Sequence, residues 1–410
     1  MRRFGYIVQQ AAEYDNLNES FDYHVCGAFK RTPYGQYLVE HRQETIEKLQ
    51  KEILEGTLAP GDFVTRKIKE RDKEREIQMI TMIPTIGIHA VMRVVEKYID
   101  PSLIADTAAS IKGRGGIYLL KRIIRDFKND FEHCQYIYKD DVEKFYQNIP
   151  QDDVMELIHR KFKDKKLIDI IERFIRLLPV GISIGMRPSQ AFANLYLSVY
   201  VDHLLKDKNG VKYYRRYCDD RVLQAGNYYE LTKNIRIMNE GTKLAKQKIK
   251  PSAQCFNIYN RPLDFLGYVI YADGKIRIRK HIKQRFARKW NKVKSIKRRR
   301  ELIGSFYGIS KHAHSANLFK TITGIKMATF AELGYKPKDK NGKKQFNAQT
   351  VSISKLYGVP VKLIDFEYVE HVRNFNSMRI VMLLELEENC EVGNKGTKVK
   401  TWTGSLNIQN

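Results

Sequence analysis

The sequence predicts an α+β protein with a helical N-terminal region, a mixed middle, a basic helical segment and an all-β C-terminal module. Apolar residues recur at helical spacing within the first 60 residues, most clearly at 46–58. Two strand-like runs joined by a tight acidic turn occupy residues 211–224, and β-type runs recur after residue 350. We therefore divide the chain into residues 1–60, 61–268, 269–335 and 336–410.

The composition is that of a globular chain with a large excess of basic residues. Of 410 residues, 73 are Lys or Arg and 47 are Asp or Glu, which gives a net charge of +26. Hydrophobic residues make up 43% and aromatic residues 11%, so a disordered chain is excluded. The charge favours a polyanionic partner, with nucleic acid as the first choice and an anionic membrane as the second.

The sequence predicts a cytoplasmic protein without a membrane partner. No run of about 18 apolar residues is present, so an ordinary transmembrane helix is not expected. Residues 1–6 lack the apolar core of an export signal. The five cysteines are scattered and have no Cys-x-x-Cys spacing, so the pattern indicates neither a zinc site nor a disulfide framework.

More than half of the excess charge lies in residues 269–330, which hold 17 Lys and Arg but only two Asp and Glu. An apolar stripe at helical spacing runs through this segment, which predicts one helix that includes Ile282, Phe286, Trp290, Val293 and Ile296. A merely solvated helix is the alternative, but an unbalanced basic face repels itself unless phosphates neutralise it. The candidate nucleic-acid-binding residues are Lys283, Arg285, Arg288, Lys289 and Lys292.

The remaining segments are assigned from their periodicity and turn residues. Basic residues alternate with others from Lys67 to Arg75, as on a strand or hairpin, and a flexible basic loop is expected at 112–116. Helices are expected at 82–98, 117–127 and 154–178, and again with Pro188 in the first turn. Strands are expected at 136–138, 264–270, 351–353, 361–369, 380–386 and 399–402, and a linker at 336–346.

Two acidic positions stand out in this arrangement. Asp141 follows a predicted strand, and the adjacent Asp219 and Asp220 occupy the turn between two strands. Adjacent carboxylates repel each other unless a positive charge lies beside them. A pair of divalent ions supplies that charge, and two ions about 4 Å apart suit phosphoryl transfer.

In order along the chain, these and other segments resemble the motifs of a reverse transcriptase. Residues 141–149 resemble the first palm motif and residues 181–190 the second. Tyr217, Cys218, Asp219 and Asp220 match the Tyr-x-Asp-Asp motif, residues 263–268 resemble the primer grip, and residues 75–77 resemble the fingers segment. The resemblance covers residues 60–330 and implies a right-hand polymerase fold. Residues 61–268 would then form fingers and palm, 269–335 a helical thumb, and 336–410 an added β module.

The resemblance implies a role for each matching residue. Asp141 and Asp219 would be the principal ligands of two Mg²⁺ ions, with Mn²⁺ as an alternative, assisted by Asp220 and the backbone carbonyl of Val142. Asp140 is the competing candidate. Asp141 is preferred because it places Tyr146 five residues on, where the family has the aromatic ring that excludes a ribose 2′-hydroxyl.

The same resemblance implies a nucleotide pocket and a primer grip. Arg75 would neutralise the triphosphate of a dNTP, with Lys67, Lys69 or Lys73 as the second cation. The nucleotide-binding candidates are Arg75, Lys73, Tyr146, Ile184, Gly185 and Gln190, and those of the primer grip are Leu266 and Gly267. Residues 248–253 do not align with the segment that carries the family's candidate general acid, so that role stays unassigned.

Within the family, the sequence is most similar to the reverse transcriptases of diversity-generating retroelements, a branch of the group II intron and retron-like enzymes. The second palm motif reads Ile184-Gly185-x-x-x-Ser189-Gln190, where the more common form is Gln-Gly-x-x-x-Ser-Pro. This similarity implies copying of a template RNA into cDNA with errors at adenines, together with a small basic accessory protein. The alternatives are a phage-defence reverse transcriptase and a non-catalytic RNA-binding scaffold. In the C-terminal module, Lys395, Lys398, Lys400 and Trp402 suit either single-stranded nucleic acid or simple packing.

Overall fold

The computed structural model describes residues 3–70, 73–324, 346, 348–356, 358–369 and 379–403. The chain forms two compact units, Met1–Ser315 and Ala316–Asn410. The predicted boundary between thumb and β module lies further along, at 335, within a stretch that is outside the described residues, as is most of the predicted linker at 336–346.

The first unit begins with four helices, as the sequence predicts for residues 1–60. These helices are α1 (Ile7–Ala11), α2 (Tyr14–His24), α3 (Pro33–Glu40) and α4 (Arg42–Glu55). The Thr32 hydroxyl caps α3 by accepting a hydrogen bond from the Gly35 N–H at 3.1 Å, and Gly56 ends α4 in the left-handed region at φ 77°. The apolar faces of α1, α2 and α4 pack on α5 (Met82–Ile99), whose many buried residues make it the centre of this helical layer, while α3 packs on α4.

An antiparallel hairpin separates α4 from α5. It consists of β1 (Phe63–Glu70) and β2 (Lys73–Ile80), with Ile68 opposite Arg75 in the register. This confirms the predicted basic hairpin. Most of its described side chains are exposed, but Gln78 near its base is buried.

A five-stranded sheet lies behind the acidic residues. Its strand order is β3-β5-β6-β4-β7, with every pair antiparallel except β3 and β5. The strands are β3 (Thr107–Ala108), β4 (Tyr136–Asp141), β5 (Tyr214–Tyr217), β6 (Asp220–Ala225) and β7 (Gln254–Asn257). The central register places Asp141 opposite Asp220, so the carboxyl end of β4 meets the β5–β6 turn.

Helices cover this sheet and connect its strands. They are α6 (Gly116–Asn129), α7 (Phe145–Asn148), α8 (Gln151–Lys161), α9 (Lys165–Ile175), α10 (Arg187–Leu197) and α11 (Tyr228–Leu244), with π-helical turns at Ser198–Asp202 and Leu204–Lys208. The prediction of a single helix at 154–178 is wrong. Asp164 interrupts it, because its carboxylate accepts a hydrogen bond from the Leu167 N–H and so begins a new helix.

The segment after the five-stranded sheet also differs from the prediction at two points. The predicted strand at 264–270 is two strands, β8 (Leu263–Phe265) and β9 (Tyr268–Ile270), joined by a turn with positive φ at both central residues, and β10 (Ile276–Ile278) completes this small sheet. The predicted single helix from Ile282 to Ile296 is α12 (Lys280–Lys292) followed by α13 (Ile296–Ser310). Val293 adopts an extended conformation that ends α12, and Ile296 is 71% exposed, so the apolar stripe does not continue.

The second unit contains α14 (Ala316–Thr323) and a four-stranded sheet. Its strands are β11 (Gln349–Thr350), β12 (Val361–Val369), β13 (Arg379–Leu386) and β14 (Lys398–Thr403), in the order β11-β14-β13-β12. Leu384, Leu386 and Val399 form part of its apolar core. The strand expected at 351–353 is instead a two-residue strand followed by a 3₁₀ turn at Ile353–Leu356.

The chain therefore has an α+β fold with additional β structure, and its elements follow the order that the sequence predicts for a right-hand polymerase. A hairpin precedes the sheet that carries the acidic turn, and a basic helical pair follows it. Across the residues described here, no helix combines the length and apolar character needed to cross a membrane.

Candidate active site

The acidic turn between β5 and β6 has an unusual backbone conformation. Cys218 has a φ of 55°, in the left-handed region that costs a non-glycine residue energy. The guanidinium of Arg216 donates a hydrogen bond to the Cys218 carbonyl at 2.9 Å, and the Cys218 N–H donates to the Ala108 carbonyl at 3.2 Å. These contacts hold the turn, and with it Asp219, against the edge of the sheet.

Arg216 is itself fixed by a buried ion pair. Its side chain has no exposed surface and contacts Asp202, which is equally buried, at 2.6 Å, and it also donates to the Asn194 carbonyl at 3.1 Å. A buried guanidinium requires this many partners because an unpaired buried charge is strongly unfavourable. The sequence analysis did not identify Arg216 or Asp202.

Asp141 lies opposite Asp220 in the register and close enough to Asp219 for the two carboxylates to repel each other, although Asp141 and Asp219 are 78 positions apart in sequence. Burial, with repulsion from Asp141 and Asp220, raises the pKa of Asp219 to about 6. Burial also raises the pKa of Asp220. Asp141 Oδ1 is buried without a hydrogen-bond partner among the described residues, so one carboxylate oxygen is available to a ligand.

The neighbouring carboxylate, Asp140, faces the opposite side of the sheet. It is 2% exposed and forms a bidentate pair with Arg221 at 2.8 and 2.7 Å. Successive residues of a strand point to opposite faces, so only one of the two can reach the acidic turn. The geometry therefore favours Asp141 over Asp140 as the carboxylate of the site.

Lys250 is a further charged residue at this site. Its Nζ pairs with Asp141 Oδ2, and its backbone N–H donates to the Asp141 carbonyl at 2.9 Å. Ile249 forms a β-bridge with Val142, so residues 248–250 run alongside the end of β4. The sequence alone assigned no role to this segment, because the pairing joins residues that are 109 positions apart.

The donor set suits a hard divalent cation. In the described part of the chain no three His, Cys, Asp or Glu side chains approach closely enough to hold an ion, so the carboxylates alone do not complete a cage. Neighbouring carboxylates with one unpartnered oxygen, Asp141 Oδ1, nevertheless supply the oxygen ligands that Mg²⁺ prefers, and Mg²⁺ commonly retains water and substrate phosphate in its remaining positions.

Tyr146, Gln190 and Cys218 form a hydrogen-bonded cluster beside the acidic pair. The Tyr146 hydroxyl donates to Gln190 Oε1 at 2.5 Å and lies 3.2 Å from Cys218 Sγ. Gln190 Nε2 donates to Cys218 Sγ at 3.4 Å. Gln190 is predicted to bind the nucleotide, but both ends of its amide form hydrogen bonds within the protein, to Tyr146 and to Cys218.

The loop before α10 is attached to the hairpin. Gln78 accepts a hydrogen bond from the Ile184 N–H at 3.2 Å through its side chain, and its own N–H donates to the Ile184 carbonyl at 3.3 Å. Gly185 has a φ of 102°, and a Cβ there would lie 2.6 Å from Ile77 Cγ2. This connection brings Ile184 and Gly185 to the strand that carries Arg75. Lys73 lies at the start of the same strand, at a position whose side chain is outside the described residues.

The predicted primer-grip residues occupy the turn between β8 and β9. Leu266 and Gly267 have φ values of 52° and 89°. Lys139 on β4 donates to the Asp264 carbonyl at 2.8 Å, and the Gly267 carbonyl accepts a hydrogen bond from the Arg279 N–H at 2.9 Å. The β8–β9 segment is therefore connected both to the five-stranded sheet and to the start of α12.

The predicted nucleic-acid-binding residues lie along α12. Arg285, Arg288, Lys289 and Lys292 are exposed and line a shallow cleft of about 350 Å³, whereas Lys283 is half-buried. None of these five side chains forms an ion pair with a carboxylate within the described ranges. Phe286 anchors the helix by stacking on Phe306 of α13 at 3.9 Å between ring centroids.

Among the comparisons with known proteins, only the comparison with solved structures gives matches. No protein-family model and no curated protein matches the chain. A truncated apo telomerase from Candida tropicalis aligns with 14% identity and a TM-score of 0.41 over 60% of each chain. Telomerase from Candida albicans, in complex with a TWJ fragment of telomeric RNA, aligns with 11% identity and a TM-score of 0.43 over 73% of this chain and 61% of that one. The apo Candida tropicalis telomerase gives 12% identity and a TM-score of 0.40, and this chain spans only 51% of it.

Proposed function

We propose that the protein is an RNA-directed DNA polymerase that copies a template RNA into cDNA. The observation that carries the proposal is the convergence of Asp141, Asp219 and Asp220, which the register of β4 and β6 brings together beside an Asp141 oxygen without a hydrogen-bond partner among the described residues. The same unit also contains a hairpin that bears Arg75 and a helix whose basic face has no carboxylate partner in the described structure.

In this proposal Asp141, Asp219, Asp220 and the Val142 carbonyl hold divalent metal, with Mg²⁺ the first choice and Mn²⁺ the alternative. Such ions activate an attacking hydroxyl and stabilise the leaving oxygen in phosphoryl transfer. Burial and repulsion from neighbouring carboxylates raise the pKa of Asp219, and a bound cation would relieve that repulsion, which supports this role.

The remaining side chains act on the dNTP and the primer. Arg75 would pair with the triphosphate, with Lys73 or its neighbours as a second cation. The Tyr146 ring would exclude a 2′-hydroxyl and so favour dNTPs, while Ile184 supplies shape to the pocket but no side-chain hydrogen bond. The turn at Leu266 and Gly267 would hold the primer end, and Lys139 supports it through a hydrogen bond to the Asp264 carbonyl in the preceding strand.

The helix α12 supplies a surface for the RNA/cDNA duplex. Arg285, Arg288, Lys289 and Lys292 project from one exposed helix without carboxylate partners in the described structure. Such unbalanced charge is neutralised by phosphates, and counterion release then drives binding.

We further propose that the copying is error-prone at adenines, as in a diversity-generating retroelement with a small basic accessory protein. This finer proposal rests on the Ile184 and Gln190 sequence form. An apolar side chain at position 184 cannot form a hydrogen bond to the nucleotide, so discrimination between bases would weaken.

The test is primer extension on a defined RNA template with all four dNTPs, followed by sequencing of the cDNA. The proposal predicts template-dependent extension in Mg²⁺ and substitutions concentrated opposite adenines. Accurate copying would contradict the adenine-specific proposal and leave the polymerase. Synthesis independent of the template sequence would favour the phage-defence alternative, and binding without synthesis would favour the RNA-binding scaffold.

A further inference from the structure

The side chains of Tyr146, Gln190 and Cys218 close a triangle of contacts between three separate segments. Tyr146 lies on α7 after the first acidic residue, Gln190 lies in the first turns of α10, and Cys218 lies in the acidic turn. The distances along its edges are 2.5 Å from Tyr146 to Gln190, 3.2 Å from Tyr146 to Cys218 and 3.4 Å from Gln190 to Cys218.

The direction of each hydrogen bond follows from the chemistry of the groups. The phenol donates to the amide oxygen of Gln190, and the amide nitrogen donates to the sulfur of Cys218. Burial raises the pKa of Tyr146 above its usual range and that of Cys218 to about 11, so both remain neutral near pH 7. Gln190 therefore uses both ends of its amide within the protein.

This pairing restricts the position of the Tyr146 ring. A tyrosine side chain has two rotatable bonds, and the Tyr146 ring packs against the Phe145 ring at 5.4 Å between centroids. The bond from the hydroxyl to Gln190 holds the far end of the ring and so limits its rotation. A ring that excludes a 2′-hydroxyl by contact is selective only while it stays in that place.

We propose that Gln190 is a positioning residue that fixes Tyr146 and thereby sets the discrimination between deoxyribonucleotides and ribonucleotides. The inference rests on the proposed function. It assigns Gln190 a role through Tyr146 in place of direct contact with the nucleotide. Cys218 supports the same arrangement and connects it to the backbone that carries Asp219.

The experiment compares kcat/KM for a dNTP with kcat/KM for the matching rNTP in primer extension on an RNA template. Gln190→Met keeps the side-chain length but removes the amide, and we expect the ratio to fall about 3- to 10-fold, as for one hydrogen bond. Tyr146→Phe should give a similar fall, because it removes the other partner. In the Tyr146→Phe background, Gln190→Met should cause no further change.

Gln147→Met is the matched control, because this exposed residue is one position from Tyr146 and outside the cluster. It should keep the ratio of the unaltered chain. An unchanged ratio in Gln190→Met, or an equal fall in the presence and absence of the Tyr146 hydroxyl, would overturn the inference.

Two further outcomes separate this inference from the proposed function. If Gln190→Met fails to fold, Tyr146→Phe alone decides, because a ratio that survives loss of the hydroxyl overturns the inference. If the unaltered chain incorporates no dNTP, the proposed function fails, and the inference fails with it. Incorporation with an unchanged ratio in both variants overturns the inference only.

Discussion

The guanidinium of Arg216 donates a hydrogen bond at 2.9 Å to the carbonyl of Cys218, the residue immediately before Asp219. Arg216 is fully buried and held by Asp202, so a core ion pair supports the left-handed turn that presents the catalytic candidate. The buried Arg216–Asp202 ion pair is thus connected, through the Cys218 carbonyl, to the backbone of the acidic turn.

Removal of the Arg216 charge should destabilise the whole first unit. Arg216→Met leaves Asp202 buried without its cation, and we expect a loss of about 3–5 kcal/mol in the free energy of unfolding. Urea denaturation measures this loss, with Arg236→Met on the exposed face of α11 as the control. A loss below about 1 kcal/mol, within the range of ordinary surface substitutions, would contradict the structural role of the pair.

His89 should make the chain less stable in mild acid. Burial first, and then the charges of Arg187, His24 and Arg93, lower the pKa of His89 to about 3. An unfolded histidine titrates near pH 6.5, so stability is lost as the pH falls below that value. The shift corresponds to about 2 kcal/mol at pH 5 relative to pH 8.

The measurement is the free energy of unfolding from pH 8 to pH 5, compared between the unaltered chain and His89→Phe. The substitution removes the titrating ring nitrogen but keeps an aromatic partner for Tyr23, which stacks on His89 at 4.6 Å. His89→Phe should show a shallower loss toward acid. Parallel curves for the two proteins would exclude His89 as the cause.

The basic face of α12 should determine the salt dependence of duplex binding. Arg288→Gln with Lys289→Gln and Lys292→Gln should weaken binding to an RNA/DNA hybrid, because each phosphate contact adds about 0.7–0.9 to the slope against log salt. Titrations between about 50 and 200 mM salt measure the slope. Lys243→Gln on α11 is the exposed control. Equal slopes for the triple variant and the control would contradict a role for α12.

Lys250 should compete with a metal ion for Asp141. Its Nζ pairs with Asp141 Oδ2, so an ion that binds this oxygen must displace a positive charge. We expect Lys250→Met to bind Mn²⁺ several-fold more tightly in the absence of nucleic acid, as measured by calorimetry. Lys248→Met, an exposed neighbour, should leave the affinity unchanged. Weaker Mn²⁺ binding by Lys250→Met would show that the lysine assists the site.

The sequence predicted the main elements well where periodicity and turn chemistry agree. The helices of residues 1–60, the basic hairpin and the two strands around Asp219 all follow from local pattern. The choice between Asp140 and Asp141 was harder, because both are acidic and adjacent. The alternation of a strand separates them only when the buried partner of Asp140, Arg221, is known.

Other features depended on contacts that no local pattern reveals. The stripe from Ile282 to Ile296 keeps helical spacing across the break at Val293, and no Gly or Pro marks the end of α12. Leu266 adopts a φ of 52°, which its β-rich neighbours do not suggest. Arg216 and Lys250 act through partners 14 and 109 positions away, so only the folded chain identifies them.

The most direct test of the central claim is primer extension on an RNA template by Asp219→Asn with Asp220→Asn, measured beside duplex affinity. The account predicts that extension is abolished while affinity for the duplex is largely kept, because α12 and not the acidic turn supplies that affinity. Asp140→Asn is not a suitable control, since it disturbs the buried pair with Arg221, whereas the exposed Asp207→Asn is one. Extension by the double variant at the rate of the unaltered chain would contradict the claim.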